Sequence, residues 1–197
     1  MDSNQISVLL QKCKENDRMA QHELFNAYKQ KVYDLSYRSL GGNFDIDDVV
    51  QQIFIAIFSS LAQFKGMSSF DTWVYRITVK ICTTQLRKKY RKRQPQISYD
   101  SAIAENDRGD LSSDTLSSDT LSSNALAVLE RKELTQSIYR AFNKLSPEKR
   151  MIVILYEMEG RTLEEIALIL KKPLGTVKSR LFHGRKALKK HLSGCME

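Results

Sequence analysis

Residues 98–124, SYDSAIAENDRGDLSSDTLSSDTLSSN, constrain what this 197-residue chain can fold into more than any other stretch. They hold eight serines and six acidic residues against a single cation, Arg108, and contain the duplicated unit LSSDT-LSSDT. With few aromatics and no helical apolar stripe, such a segment buries too little surface to offset the entropy of ordering it. It reads as a flexible acidic tether, and its repeat is too short to be a solenoid unit. The chain is therefore divided into blocks over 1–93 and 126–197, joined by a linker over 94–125.

Both blocks carry helical punctuation, with only three prolines in the whole chain and no alternating strand pattern of useful length. In 20–40, Leu24, Tyr28, Val32 and Leu35 recur on one face, and Gly41-Gly42 supplies a stop signal. Asp45 then caps a helix whose residues Ile46, Val49, Val50, Ile53, Phe54, Ile57, Phe58 and Leu61 form a broad apolar stripe. A third helix begins near Ser69 and runs through Trp73, Val74, Ile77 and Ile81 into a basic run. The predicted class is all-α, as two small helical domains on a flexible, acidic, Ser-rich linker.

The second block is punctuated more densely. A helix over 126–144 uses Leu134, Ile138, Phe142 and Leu145. Ser146-Pro147 offers an N-cap and a proline at the first helical position, and the helix that follows stops at Gly160. Thr162-Leu163-Glu164-Glu165 has the T-x-x-E form of a capping box. Pro173 ends that helix, Gly175 allows a turn, and Thr176 is predicted to cap the last helix. Two short helices joined by a tight, glycine-containing turn make a helix-turn-helix pattern.

Charge is segregated along the sequence. The net charge is +8 and the isoelectric point near 9.4, which favours a polyanionic partner. RKKYRKR, residues 87–93, holds six cations in seven residues. In the last helix Val177, Leu181, Gly184 and Leu188 follow a 4-3-4 spacing toward the core. Lys178, Ser179, Phe182, Arg185, Lys186 and Lys189 are then left outward, as in a recognition helix that reaches base edges while flanking cations hold phosphates. A solvated basic terminal helix would carry the same charges.

FKGMSSFDTWVYRITVK, residues 64–80, places Phe64, Phe70, Trp73 and Tyr75 around a small loop, beside Arg76 and Lys80. Aromatics next to cations suit single-stranded DNA, whose bases stack on rings while its phosphates are neutralised. Trp73 also fits a core position beside Val74 and Ile77. Asp47, Asp48, Gln51 and Gln52 form a polar face near a helix start, where carboxylates also simply complement the helix dipole.

Several classes are disfavoured. No nucleophile–base pair or Walker-type glycine loop occurs, and no cofactor is implied. Three widely spaced cysteines, Cys13, Cys82 and Cys195, argue against a disulfide framework; His191 and Cys195 alone make a poor metal pair. No apolar run approaches the ~18–20 residues needed to span a bilayer, and the N-terminus lacks signal-peptide features, so the expected location is cytoplasmic, without membrane insertion.

VYDLSYRSLGG, DIDDVVQQIF and FKGMSSFDTWVYRI, followed by LSPEKRMIVILYEMEGRTLEEIALILKKPLGTVKSRLFHGRKALKKHL, resemble the two helical domains of bacterial sigma factors, in particular the extracytoplasmic-function (ECF) group of the sigma-70 family. The resemblance covers roughly 25–92 and 134–192, with both motifs in order. It implies a region 2-like bundle, a region 4-like helix-turn-helix, and a protein that guides core RNA polymerase to promoters without enzymatic activity of its own.

For residues, the resemblance implies that Asp45, Asp47, Asp48, Gln51, Gln52 and Phe54 dock on the β′ clamp helices of core RNA polymerase, with the β flap as a further partner. Lys65, Gly66, Met67, Ser68, Ser69, Phe70, Trp73, Arg76, Lys80, Arg87 and Lys88 would capture non-template DNA of the −10 element, with a base flipped into the loop. Thr176, Lys178, Ser179, Phe182, His183, Arg185 and Lys186 would read the −35 element in promoter DNA. His183 stands where related proteins often carry arginine, and Gln52 where glutamate is common. An anti-sigma factor is implied as a regulatory partner.

Geometry adds a constraint. Elements two duplex turns apart lie roughly 70 Å apart at ~34 Å per turn. A flexible 94–125 linker has an r.m.s. span of about 30 Å and an extended limit of roughly 105 Å. It can bridge both elements but cannot position them, so polymerase must. Two other classes compete: a repressor or activator acting on duplex DNA alone, which gives the aromatic-basic third helix no task, and a sigma-like adaptor that contacts only proteins, which gives the basic last helix none.

Overall fold

The computed structural model describes residues 3–42, 44–93 and 135–193; the linker assigned to 94–125, the 126–134 start of the next predicted helix with its Leu134, and the metal pair's Cys195 lie outside them. Every regular element among the described residues is helical. In order they are α1 (Ser3–Lys14), α2 (Arg18–Leu40), α3 (Ile46–Ser60) with a 3₁₀ turn at Leu61–Gln63, α4 (Phe70–Arg93), α5 (135–143), α6 (Pro147–Val153) with a π turn at Ile154–Met158, α7 (Leu163–Leu170) and α8 (Leu174–Ser193).

The first four helices form a bundle in which α2 packs against α1, α3 and α4. Asp17 caps α2 by accepting from the N–H groups of Met19 and Ala20, and Gly41 ends it at φ +75°, its own N–H donating to the Tyr37 carbonyl at 2.8 Å. Asp45 caps α3 as its sequence predicts, accepting from the Asp48 N–H at 3.1 Å. Ile46, Val49, Val50, Ile53, Phe54 and Ile57 turn their stripe inward and are buried. Each such side chain contributes about 1.5–3 kcal/mol of burial free energy. Helix α1 is an addition to the predicted elements, and Leu9, Leu10 and Cys13 carry its buried face.

The second half is a helix-turn-helix on a supporting pair. The capping box forms in full: Glu165 N–H donates to Thr162 Oγ1 at 3.2 Å, and Thr162 N–H donates to Glu165 Oε2 at 2.9 Å. Four local expectations are corrected. Ser146 occupies the N-cap of α6 but its side chain makes no capping bond. The left-handed residue that ends α7 is Lys171, at φ +51°, so the turn does not rely on Gly175, which lies inside α8. Thr176 likewise sits in the first turn of α8, because the Pro173 carbonyl already accepts from the Thr176 and Val177 N–H groups. Beyond Val153 the α-helix predicted to run to Gly160 widens into a π turn, with the Glu159 N–H donating to the Ile154 carbonyl.

The halves are in contact. Helix α4 packs on α6 and α7, and buried residues of both halves belong to one continuous apolar cluster. Among the described residues no helix is long and apolar enough to cross a membrane, and no group of three potential metal ligands occurs.

Candidate nucleic-acid interface

Three surfaces hold the residues singled out by sequence. On α8, Val177, Leu181 and Gly184 are buried and Leu188 is half-buried, as the 4-3-4 spacing predicts. Gly184 is where α8 crosses α6: a Cβ built there would lie 2.8 Å from Val153 Cγ2. That close approach fixes which face points out. Lys178, Ser179, Phe182, His183, Arg185 and Lys186 are exposed, while Thr176 is half-buried. Phe182 is 64% exposed and meets the His183 ring edge-on at 5.4 Å. Arg185 differs from its neighbours, because its Nε donates to Glu157 Oε1 at 2.5 Å and its guanidinium lies 4.8 Å from the Tyr156 ring centroid. It braces α8 from the side.

The second surface is the loop 65–69 and the start of α4. Gly66 takes φ +73°, Met67 is 92% exposed, and Ser69 Oγ accepts from the Thr72 N–H to start the helix. Trp73 is half-buried, 5.4 Å from both Phe64 and Phe70. One indole therefore packs on a ring cluster and keeps a solvent-facing part. Phe70 is 4% exposed and anchors this cluster, so its ring is closed to a base. Lys65, Lys80 and Lys88 are exposed. Arg76 and Arg87 instead reach the second half: Arg76 Nε donates to the Leu168 carbonyl at 3.1 Å, and Arg87 Nη2 donates to Glu148 Oε1 at 2.6 Å. The Arg87 hydrogen bond holds the Glu148 carboxyl below its usual range.

The third surface is the outer face of α3. Asp45, Asp47, Asp48, Gln51 and Gln52 are exposed together. Phe54 is 4% exposed and packs on Phe25 with ring centroids 4.5 Å apart, so it supports this face from beneath. The apolar residue that does face outward is Ile55, 61% exposed. It follows Asp48, Gln51 and Gln52 at helical spacing and lies outside the predicted core stripe, a signal present in the sequence.

Charged residues also line the contact between the halves. Glu159, its side chain 8% exposed, accepts from Arg38 Nη1 at 2.6 Å and from the Tyr75 hydroxyl at 3.0 Å. The Glu159 hydrogen bond raises the Arg38 guanidinium above its usual range. The Arg161 guanidinium stacks 4.2 Å from the Tyr75 ring centroid. Arg150 is 2% exposed, donating from Nη1 to Asn143 Oδ1 at 2.6 Å.

Comparison with known proteins reaches both halves. Residues 24–92 match the family model for sigma-70 region 2, and residues 135–188 match that for sigma-70 region 4. The chain is 31% identical over 183 residues to the ECF RNA polymerase sigma factor SigW of Bacillus subtilis, covering 93% of this chain and 94% of SigW. It is 35% identical over 181 residues to the ECF RNA polymerase sigma-E factor of Escherichia coli K12, covering 92% and 91%. Two solved structures share the fold. CnrH in complex with the cytosolic domain of CnrY gives a TM-score of 0.60 at 20% identity, covering 95% of this chain and 96% of that one. The sigma factor RpoE of Bartonella quintana with the anti-sigma factor NepR gives 0.56 at 23%, covering 87% and 96%.

Proposed function

The chain belongs to the ECF RNA polymerase sigma factors of the sigma-70 family, and from that premise we propose how its surfaces divide the work of promoter recognition. Residues 1–93 form the unit for core polymerase and the −10 element, 126–197 the unit for the −35 element, and 94–125 the tether. The observation that carries this reading is the sidedness of α8. Its inner face is held by Val177, Leu181 and Gly184, leaving Lys178, Ser179, Phe182 and His183 outward and beyond the capped helix α7.

A helix of this kind fits the ~12 Å major groove, with Lys178 and Ser179 in its second turn and Phe182 able to pack on a thymine methyl. The half-exposed Trp73 beside the 65–69 loop offers a stacking surface for a base leaving the duplex, with Lys65, Lys80 and Lys88 near the phosphates. Asp47, Asp48, Gln51, Gln52 and Ile55 make a polar face with one apolar contact, suited to docking on polymerase. The protein acts by binding and positioning, and polymerase supplies the chemistry. RpoE is solved with the anti-sigma factor NepR, which supports an anti-sigma factor as a partner here too.

The test is co-purification with core RNA polymerase followed by transcription from a library of promoters. Retention on core with selective initiation is the expected result. Tight binding to duplex DNA with no retention on core would overturn the reading in favour of a stand-alone regulator.

A further inference from the structure

We propose that Glu157 is a positioning residue for DNA binding by α8, holding the Arg185 guanidinium in place for a backbone phosphate at the edge of the major groove. The proposal rests on the reading of α8 as the DNA-facing helix given above. Lys178, Phe182 and Arg185 stand at i, i+4 and i+7, so one stripe of α8 carries all three. Leu181 and Leu188, four residues before Arg185 and three after it, turn inward. Arg185 is therefore at the margin of the stripe, beside the π turn at Ile154–Met158.

That turn supplies two restraints. Arg185 Nε donates to Glu157 Oε1 at 2.5 Å, and the guanidinium lies 4.8 Å from the Tyr156 ring centroid. The hydrogen bond to Glu157 raises the Arg185 guanidinium above its usual range. Of the α8 cations predicted to face DNA, Arg185 is the one with a carboxylate in salt-bridge reach among the described residues.

Stability is a poor reason for this pair. The Arg185 and Glu157 side chains are 51% and 42% exposed, and an ion pair that wet is screened and contributes little. Charge alone is a poor reason too, because a carboxylate beside a phosphate-binding face repels the ligand. Orientation remains. A free arginine loses much rotamer freedom when a phosphate fixes it, and here the carboxylate and the ring impose that loss before DNA arrives. Nε is the donor to Glu157, while half of the side chain stays in solvent, within reach of a phosphate. A contact of this kind adds affinity on duplexes of any sequence.

The test titrates the full chain, as wild type, Glu157→Ala, Glu157→Gln, Arg185→Ala and the Glu157→Ala/Arg185→Ala double variant. The probe is a fluorescein-labelled random-sequence duplex of about 20 base pairs, read by anisotropy over a range of salt, with urea unfolding alongside. One phosphate contact accounts for a slope of about 0.9 in log affinity against log salt, or roughly fivefold in affinity near 0.15 M. Glu157→Ala should lose both, matching Arg185→Ala, and the double variant should lose no more than either single. Glu157→Gln keeps an acceptor oxygen for Nε and should bind as wild type does. Glu157→Ala binding as tightly as wild type or tighter would overturn the proposal, since the carboxylate would then only neutralise Arg185. Lower stability with an unchanged salt slope would also overturn it, leaving Glu157 as a brace. So would a wild-type chain that fails to bind the duplex even near 50 mM salt. No arm uses polymerase or a promoter, so loss of the sigma reading in co-purification is a separate result.

Discussion

Gly184 carries a prediction whose sign depends on the packing described above. A methyl group there would stand 2.8 Å from Val153 Cγ2, closer than real Cβ atoms approach a neighbour. Val153 is 1% exposed in helix α6, and its branched side chain has one strongly preferred helical rotamer, so rotation offers little relief. Forcing a methyl into a packed core costs about 1–3 kcal/mol. Replacing glycine by alanine inside a helix returns about 0.8–1.0 kcal/mol. Gly184→Ala therefore destabilises by roughly 0–2 kcal/mol, and each kcal/mol lowers the melting midpoint by about 2–4 °C in a chain of this size. Circular dichroism at 222 nm during urea and thermal unfolding measures it. The decisive arm is Gly184→Ala with Val153→Ala, where the new methyl enters space vacated by valine; the double variant should be more stable than the sum of the singles by about 1 kcal/mol. If Gly184→Ala instead gains the full ~1 kcal/mol of helix propensity and the double variant is additive, the close approach of α8 to α6 is refuted.

Two further perturbations follow from single contacts. Thr162→Ala removes the acceptor for the Glu165 N–H and should cost about 1 kcal/mol of stability by urea unfolding; an unchanged midpoint would show that the box contributes nothing. Lys178→Ala should weaken binding to a −35 duplex and lower the slope of log affinity against log salt by about one if it holds a phosphate. Identical affinity in variant and wild type would remove Lys178 from the interface.

The inward faces were legible because burial obeys periodicity. The α3 stripe, the Asp45 cap, the Thr162–Glu165 box and the 4-3-4 face of α8 follow from spacing and capping chemistry local to each helix. Even α1 carried the pattern: Ile6, Leu9, Leu10 and Cys13 stand at i, i+3, i+4 and i+7, though a segment beginning the chain invites reading as a leader or a tail. Phe54 shows the limit of the same logic, since periodicity put it in the core stripe while the family likeness put it on the docking face. Its ring against Phe25 leaves Ile55 as the outward apolar group.

What no window of sequence contains is the contact between the halves. The α-helical period fails after Val153, where the π turn inserts an extra residue into the register. The side on which Glu159 emerges, facing Arg38 and Tyr75, then cannot be counted from Ile152 or Leu155. Arg38 and Glu159 are 121 residues apart, and Arg76 and Leu168 are 92 apart. Each looks locally like an ordinary solvated charge or a helix-end carbonyl. Arg76 stands beside aromatics and Arg87 is implied by the family likeness, as cations suited to nucleic acid, and that same chemistry makes them targets for carboxylates and helix C-termini of their own chain.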